Sequence, residues 1–168
     1  MILYHGGTEA VMQPDCKKGR PDLDFGQGFY VTLLQAQAEG FARRKARDRK
    51  GKPVISVYEF DYEAAIKDCA YLNFEFYDEA WLDFVVDSRS GLKPWANYDV
   101  VEGGVANDRV IDTVELYTIG ILDKASALGR LSEHQPNHQI CILSQAILDK
   151  YLKLNKNRLL WQKLIQRN

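Results

Sequence analysis

His5 is one of only three histidines in 168 residues, and Gly6 and Gly7 follow it directly. An imidazole there, on the strand signal Ile2 to Tyr4, can bond a hydroxyl or move a proton near neutral pH. A second run, Asp24-Phe25-Gly26-Gln27-Gly28-Phe29-Tyr30-Val31-Thr32, carries two glycines one residue apart and then two aromatics. Glycines let a backbone approach a ligand closely, and Tyr30 offers a face on which a flat heteroaromatic ring stacks. Each residue also has a plain structural alternative. A lone histidine at a strand end is often a satisfied polar group, two close glycines can be a tight turn, and a strand tyrosine is usually core. The run is not a dinucleotide fingerprint, because Val31 stands where its third glycine belongs, and no phosphate-loop ending follows.

Taken together, Tyr4-His5-Gly6-Gly7 and Gly26-Gln27-Gly28-Phe29-Tyr30 resemble the first two motifs of the ADP-ribosyltransferase superfamily, in the branch of diphtheria toxin and the poly-ADP-ribose polymerases. The form Asp24-Phe25-Gly26-x-Gly28-Phe29-Tyr30-x-Thr32 also looks like a bacterial family of unknown function within that superfamily. Its members are regarded as the toxins of toxin–antitoxin pairs. The resemblance implies a cleft for NAD, used as a substrate, with no metal. It implies that His5 bonds a ribose, that Gly6 and Gly7 hold the nicotinamide amide through the backbone, and that Tyr30 stacks on the nicotinamide ring. Gly28 and the Thr32 hydroxyl would lie beside it. The third motif of the family begins a late strand with a glutamate. In Asn137-His138-Gln139-Ile140-Cys141-Ile142-Leu143 that place falls to Gln139. A glutamine amide still bonds a ribose hydroxyl, but it has no charge with which to act as a base or stabilise an oxocarbenium ion. The catalytic set therefore reads His5, Tyr30, Gln139, a departure that argues against polymer synthesis.

Further candidates surround this trio. Arg20 and Asp24 flank the approach to the glycine run and are expected to face the cofactor. Gly103-Gly104-Val105-Ala106-Asn107-Asp108-Arg109 combines a pliable backbone with a polar helix start. Asn107 and Arg109 either line the cleft or serve as cap and first turn. Glu102 and Glu115 are the fallback carboxylates. His134, His138 and Cys141 have spacings that suit zinc only on a helix, and Pro136 interrupts one.

The expected activity is mono-ADP-ribosylation of a protein or nucleic-acid acceptor by a bacterial toxin, with a cognate antitoxin plugging the cleft. The alternatives are a non-catalytic module that binds NAD or ADP-ribose, an NAD glycohydrolase, or an RNA-directed protein. Seven cations between Arg43 and Lys52 (Arg43, Arg44, Lys45, Arg47, Arg49, Lys50, Lys52) against Asp48 alone support nucleic acid, or simply form a solvated helix end. The acids from Glu59 to Asp87 are a partner surface or polar helix faces.

Composition narrows the class. A 46% hydrophobic and 27% charged chain with net charge -1 is ordinary for a globular domain. No apolar run reaches the roughly 18 residues of a membrane helix, and no signal-peptide pattern is present. Cys16, Cys69 and Cys141 are too few and too far apart for a disulfide framework, so a cytoplasmic home is expected. The first motif starts at residue 4, and nothing is expected ahead of it.

The elements that must position these residues form one α+β domain over 1–168. From the resemblance it is a split pair of small antiparallel sheets with flanking helices around the NAD cleft. Strands are expected at Ile2 to His5, Phe29 to Val31, Val54 to Phe60, Tyr98 to Val105 (with a Gly103-Gly104 break) and Gln139 to Leu143. Thr32 is read as the cap of a helix from Leu33 to Arg49, with Leu34, Ala38, Phe41 and Ala42 as its apolar face. Further helices are expected at Phe76 to Val86, from Asn107 to Tyr117, at Ala125 to Leu131 and at Ser144 to Leu154. A basic helical tail is expected from Asn155.

Overall fold

Alternating β-branched and aromatic residues make Ile2–Gly7 (β1) and Val54–Phe60 (β3) strands, and they pair antiparallel over six residue pairs, from Ile2↔Glu59 to Gly7↔Val54. This is seen in a computed structural model, which describes residues 1–106 and 108–155. Five more strands complete the sheet: Phe29–Thr32 (β2), Tyr71–Asn73 (β4), Val100–Gly104 (β5), His138–Ile142 (β6) and Leu152–Leu154 (β7). Their order is β4-β5-β6-β2-β1-β3-β7, antiparallel throughout except for the parallel β4–β5 pair. The expected pair of separate sheets is therefore one seven-stranded sheet. The division survives as a seam: β1 and β2 share the single pair Tyr4↔Thr32, whereas β2 and β6 share four.

Six helices cover the two faces among the described residues: Gln35–Asp48 (α1), Tyr62–Lys67 (α2), Glu79–Arg89 (α3), Asp108–Thr118 (α4), Lys124–Leu131 (α5) and Gln145–Tyr151 (α6). Because strand side chains alternate between faces, neighbours in β2 enter different cores. Phe29 and Val31 join Leu3, Tyr58, Phe60, Ile140 and Ile142 beneath α2 and α6. Tyr30 packs with Val101, Cys141 and the buried faces of α3, α4 and α5, among them Trp81, Leu82, Val114 and Leu131. On that same face α1 lays Ala38 against Ile55 and Val57. Each large apolar side chain so buried stabilises the fold by about 1.5–3 kcal/mol. Aspartates cap three helices: Asp78 accepts from Trp81 N at 2.9 Å, Asp123 from Ser126 N at 2.7 Å and Asp61 from Ala64 N at 3.4 Å. Such caps contribute about 1 kcal/mol each.

Several expected elements shift. Thr32 stays in β2 and α1 begins at Gln35, with Leu34 at its N-cap; the Thr32 hydroxyl still accepts from Leu34 N at 3.1 Å. The inner face of α1 is Ala38, Ala42 and Ala46, while Leu34 and Phe41 stand 48% and 47% exposed. Small residues let this helix lie close on the strands: a Cβ on Gly6 would run into the Ala38 carbonyl. Gly103 and Gly104 continue β5 instead of breaking it. The helix after Phe76 starts only at Glu79, where Asp78 caps it. The last described helix ends at Tyr151, because the next three residues find a partner edge in β3. Helix α2 and strand β4 were not expected. The tail beyond Asn155 and the helix-opening Asn107 lie outside the described residues. No helix among those residues is long and apolar enough to cross a membrane.

Candidate functional site

At the seam, β1 and β2 part immediately after Tyr4↔Thr32, and His5 occupies the opening. Its Nδ1 lies 2.8 Å from the Tyr30 carbonyl oxygen, which can only accept, so Nδ1 carries the proton and donates. The ring stacks on Phe29 with centroids 4.6 Å apart. Burial pushes the His5 pKa below its ordinary value; the bond to Tyr30 opposes this and the Lys45 charge adds to it. A neutral imidazole protonated at Nδ1 leaves Nε2 as an acceptor, and among the described residues Nε2 makes no hydrogen bond. Past Tyr4 no pair joins β1 to β2, so the β2-facing edge of β1 beside His5, Gly6 and Gly7 has main-chain groups without a ladder partner.

The glycine run does something different from what its spacing suggests. Tyr30 turns its hydroxyl back into the run, donating to the Gly26 carbonyl at 2.8 Å and accepting from Phe25 N at 3.1 Å. Burial raises its pKa well above the phenol range. Gly26 has a φ of +82°, and the space beside it is filled by the Trp95 indole. Gly28 lies against the Cys141 thiol and the Ile142 carbonyl. Both glycines thus admit protein groups. Asp24 is held by Arg89, whose Nε and Nη2 reach Oδ1 at 2.8 and 2.6 Å.

Gln139 is half-buried and lies between Thr32 of β2 and Gly103 of β5. Alternation puts it on the Tyr30 face, away from the Phe29 face on which His5 stacks. Its amide has no hydrogen-bond partner among the described residues. Thr32 is buried beside it and donates toward Gln37 Oε1 at 3.0 Å or the His138 carbonyl at 3.2 Å. Next to this row opens a cavity of about 660 Å³ lined by Tyr4, Leu33, Leu34, Gln37, Phe41, Arg44, Val105 and Asn137, with further residues from the start of α1. Sequence reasoning singled out Leu34 and Phe41 as core, read Arg44 only as one of the seven cations, and missed Gln37. Their helical spacing, 34–37–41–44, was the available signal.

The structure thus joins the His5 ring to the Tyr30 main chain, and sets the Tyr30 ring, Thr32 and Gln139 on the opposite face. Gly6 and Gly7 border the seam. Arg20 is an exposed residue with its side chain 4.0 Å from Asp22, and Arg109 is exposed on α4. Glu102 is a buried carboxylate on the same face as the His5 ring, accepting from Tyr62 at 2.9 Å and Tyr71 at 2.8 Å, with His138 Nδ1 at 3.5 Å. Continuing the strand register puts Glu102 three strands from His5, about 14 Å at ~4.8 Å per strand. Glu115 is exposed. His138 and Cys141 sit on opposite faces of β6, and no group of three or more His, Cys, Asp or Glu among the described residues is arranged to hold a metal.

Fold and site together define an α+β protein whose single mixed sheet opens beside a neutral histidine. The chain belongs to the family described as "Protein of unknown function (DUF3990)", whose model matches residues 1–154. Comparison with curated proteins and with solved structures found no match.

Proposed function

We propose that this protein is an NAD-dependent ADP-ribosyltransferase that adds a single ADP-ribose to a macromolecular acceptor. The observation that carries the reading is the 2.8 Å bond between His5 Nδ1 and the Tyr30 carbonyl. It ties the two motifs that resemble the superfamily to one place and leaves the basic Nε2 free to accept from a ribose hydroxyl. The unpaired edge of β1 supplies N–H and C=O groups suited to a carboxamide. In the reaction the bond between ribose C1′ and the nicotinamide ring nitrogen breaks, its electron pair neutralising the ring. The acceptor nucleophile then bonds C1′ and loses its proton to solvent or to its own base. Positioning and exclusion of water carry most of such a step. Gln139 stands on the opposite face, so it serves a hydroxyl elsewhere on the dinucleotide than the one His5 holds, without adding charge. By the same resemblance the protein is a cytoplasmic toxin restrained by an antitoxin seated in the cleft.

Gln139 also favours a second reading, a module that binds NAD or ADP-ribose without turning it over. Labelled NAD incubated with the protein, alone and with lysate treated with protease or nuclease, separates the two. Label on a macromolecule that is absent with His5→Ala supports transfer. Nicotinamide release without transfer means glycohydrolysis, and NAD bound but intact in every condition means a binding module. Gln139→Glu should raise NAD hydrolysis; no change would remove Gln139 from the site.

A further inference from the structure

Five cations from the last turns of α1 and the residues just after it have no acidic partner among the described residues. Arg43, Arg47, Arg49, Lys50 and Lys52 are exposed, and none forms an ion pair among the described residues although Asp48 lies in their midst. Leu34, Phe41 and Lys45 follow one flank of α1, Arg44 on the cavity lining comes three residues after Phe41 and Arg47 three after that, so the cations wrap the outer side of the helix from the cavity mouth round to Arg43. Phe41 is 47% exposed, an aromatic that folding has not buried, and Lys45 holds its ammonium 5.6 Å from the ring centroid. From Arg43 to the end of the helix at Asp48 the chain advances about 7.5 Å at ~1.5 Å per residue, with Arg49, Lys50 and Lys52 beyond. A diphosphate is a single point of charge on that scale. An acidic peptide would match the cations, but its main chain brings no ring to Phe41, whereas every nucleotide carries one beside its phosphate.

We infer that the outer flank of α1 is a docking surface for single-stranded nucleic acid, its phosphates on the cations and one base stacked on Phe41 at the mouth of the cavity. Unpaired bases stack on exposed aromatics whatever their sequence, and a basic track beside them follows the backbone. As the site of an acceptor strand this rests on the proposed transferase reading; as a binding surface it stands apart from NAD. The ring on Phe41 also selects against duplex, in which bases already stack on one another.

The test is fluorescence anisotropy with a labelled mixed-sequence oligonucleotide, read against salt, with a duplex of the same sequence as competitor. Contact with about four phosphates gives a slope of log K against log salt near -3. The triple variant Arg43→Gln, Arg47→Gln, Arg49→Gln should flatten that slope and weaken binding at least about tenfold. Phe41→Ala should cost about tenfold with the slope unchanged. Absence of oligonucleotide binding at low salt would overturn the inference, as would indifference to the triple variant or equal competition by duplex. NAD binding by the triple variant, measured separately by calorimetry, should match wild type. Its loss in every form of the protein would sink the transferase reading while leaving the surface standing. In the labelled-NAD assay, transfer to protein alone would overturn the acceptor assignment.

Discussion

Replacing Tyr30 by Phe separates the two jobs this residue could do. The ring, and any stacking on it, is kept; the hydroxyl that rivets the glycine run is lost. Phe25 is fully buried, and its N–H would lose its acceptor. An orphaned buried donor costs about 1–3 kcal/mol, and the lost bond to the Gly26 carbonyl a further 0.5–1.5, so the variant should be about 2–4 kcal/mol less stable. At roughly 2–4 °C per kcal/mol for a chain of this size, Tm should fall by about 4–16 °C. Thermal melts followed by near-UV circular dichroism measure this directly. Calorimetry well below the melt should then find NAD binding retained. A Tm within about 1 °C of wild type would refute the rivet. A normal Tm together with lost NAD affinity would mean that the hydroxyl works on the ligand.

Other substitutions probe the rest of the site. Gly26→Ala forces a Cβ onto a residue with φ +82° and into the Trp95 indole, at a cost of about 2–4 kcal/mol. A near-native melting curve would show that the turn relaxes freely. His5 has a folded pKa below its unfolded value of about 6.5, so the unfolded chain binds more protons. Stability should be flat above that pH, fall as pH drops through it, and level off below the folded pKa. Urea midpoints should show this loss in wild type but not in His5→Gln, and parallel profiles would contradict it. Glu102→Ala leaves the Tyr62 and Tyr71 hydroxyls without their carboxylate and should cost about 2–4 kcal/mol in urea unfolding, more than Tyr62→Phe at about 1. Equal losses would mean that the carboxylate is not the centre of that cluster.

Strands β1, β2, β3 and β6 were readable because β-branched and aromatic residues alternate between capping and turn signals. Elements as short as α2, β4 and β7 were not, since three to six residues hold their shape only through partners far along the chain. Thr32 satisfies the entry to α1 from inside a strand, a role that its sequence position cannot distinguish from an N-cap. Leu34 and Phe41 carry apolar signals, yet the alanines beside them fit closer to the sheet and take the inner face. The motif residues were visible as a set, but their division was not. Alternation within β2 sends Phe29 and Tyr30 to opposite cores, and only the sheet register shows that His5 follows the first of these.

That register also sets the order of events during synthesis. Strand β2 gains four of its five partners from β6, which pairs Phe29 with Ile142 and Thr32 with Gln139. Until the ribosome has added the intervening hundred-odd residues, about 5–20 s of elongation, Tyr30 has no fixed strand on which to present its carbonyl. His5 leaves the ribosome first and waits longest for its partner. A nascent or truncated chain lacking β6 therefore carries both motifs without the site, and whatever the protein does begins only once β6 has been made and paired.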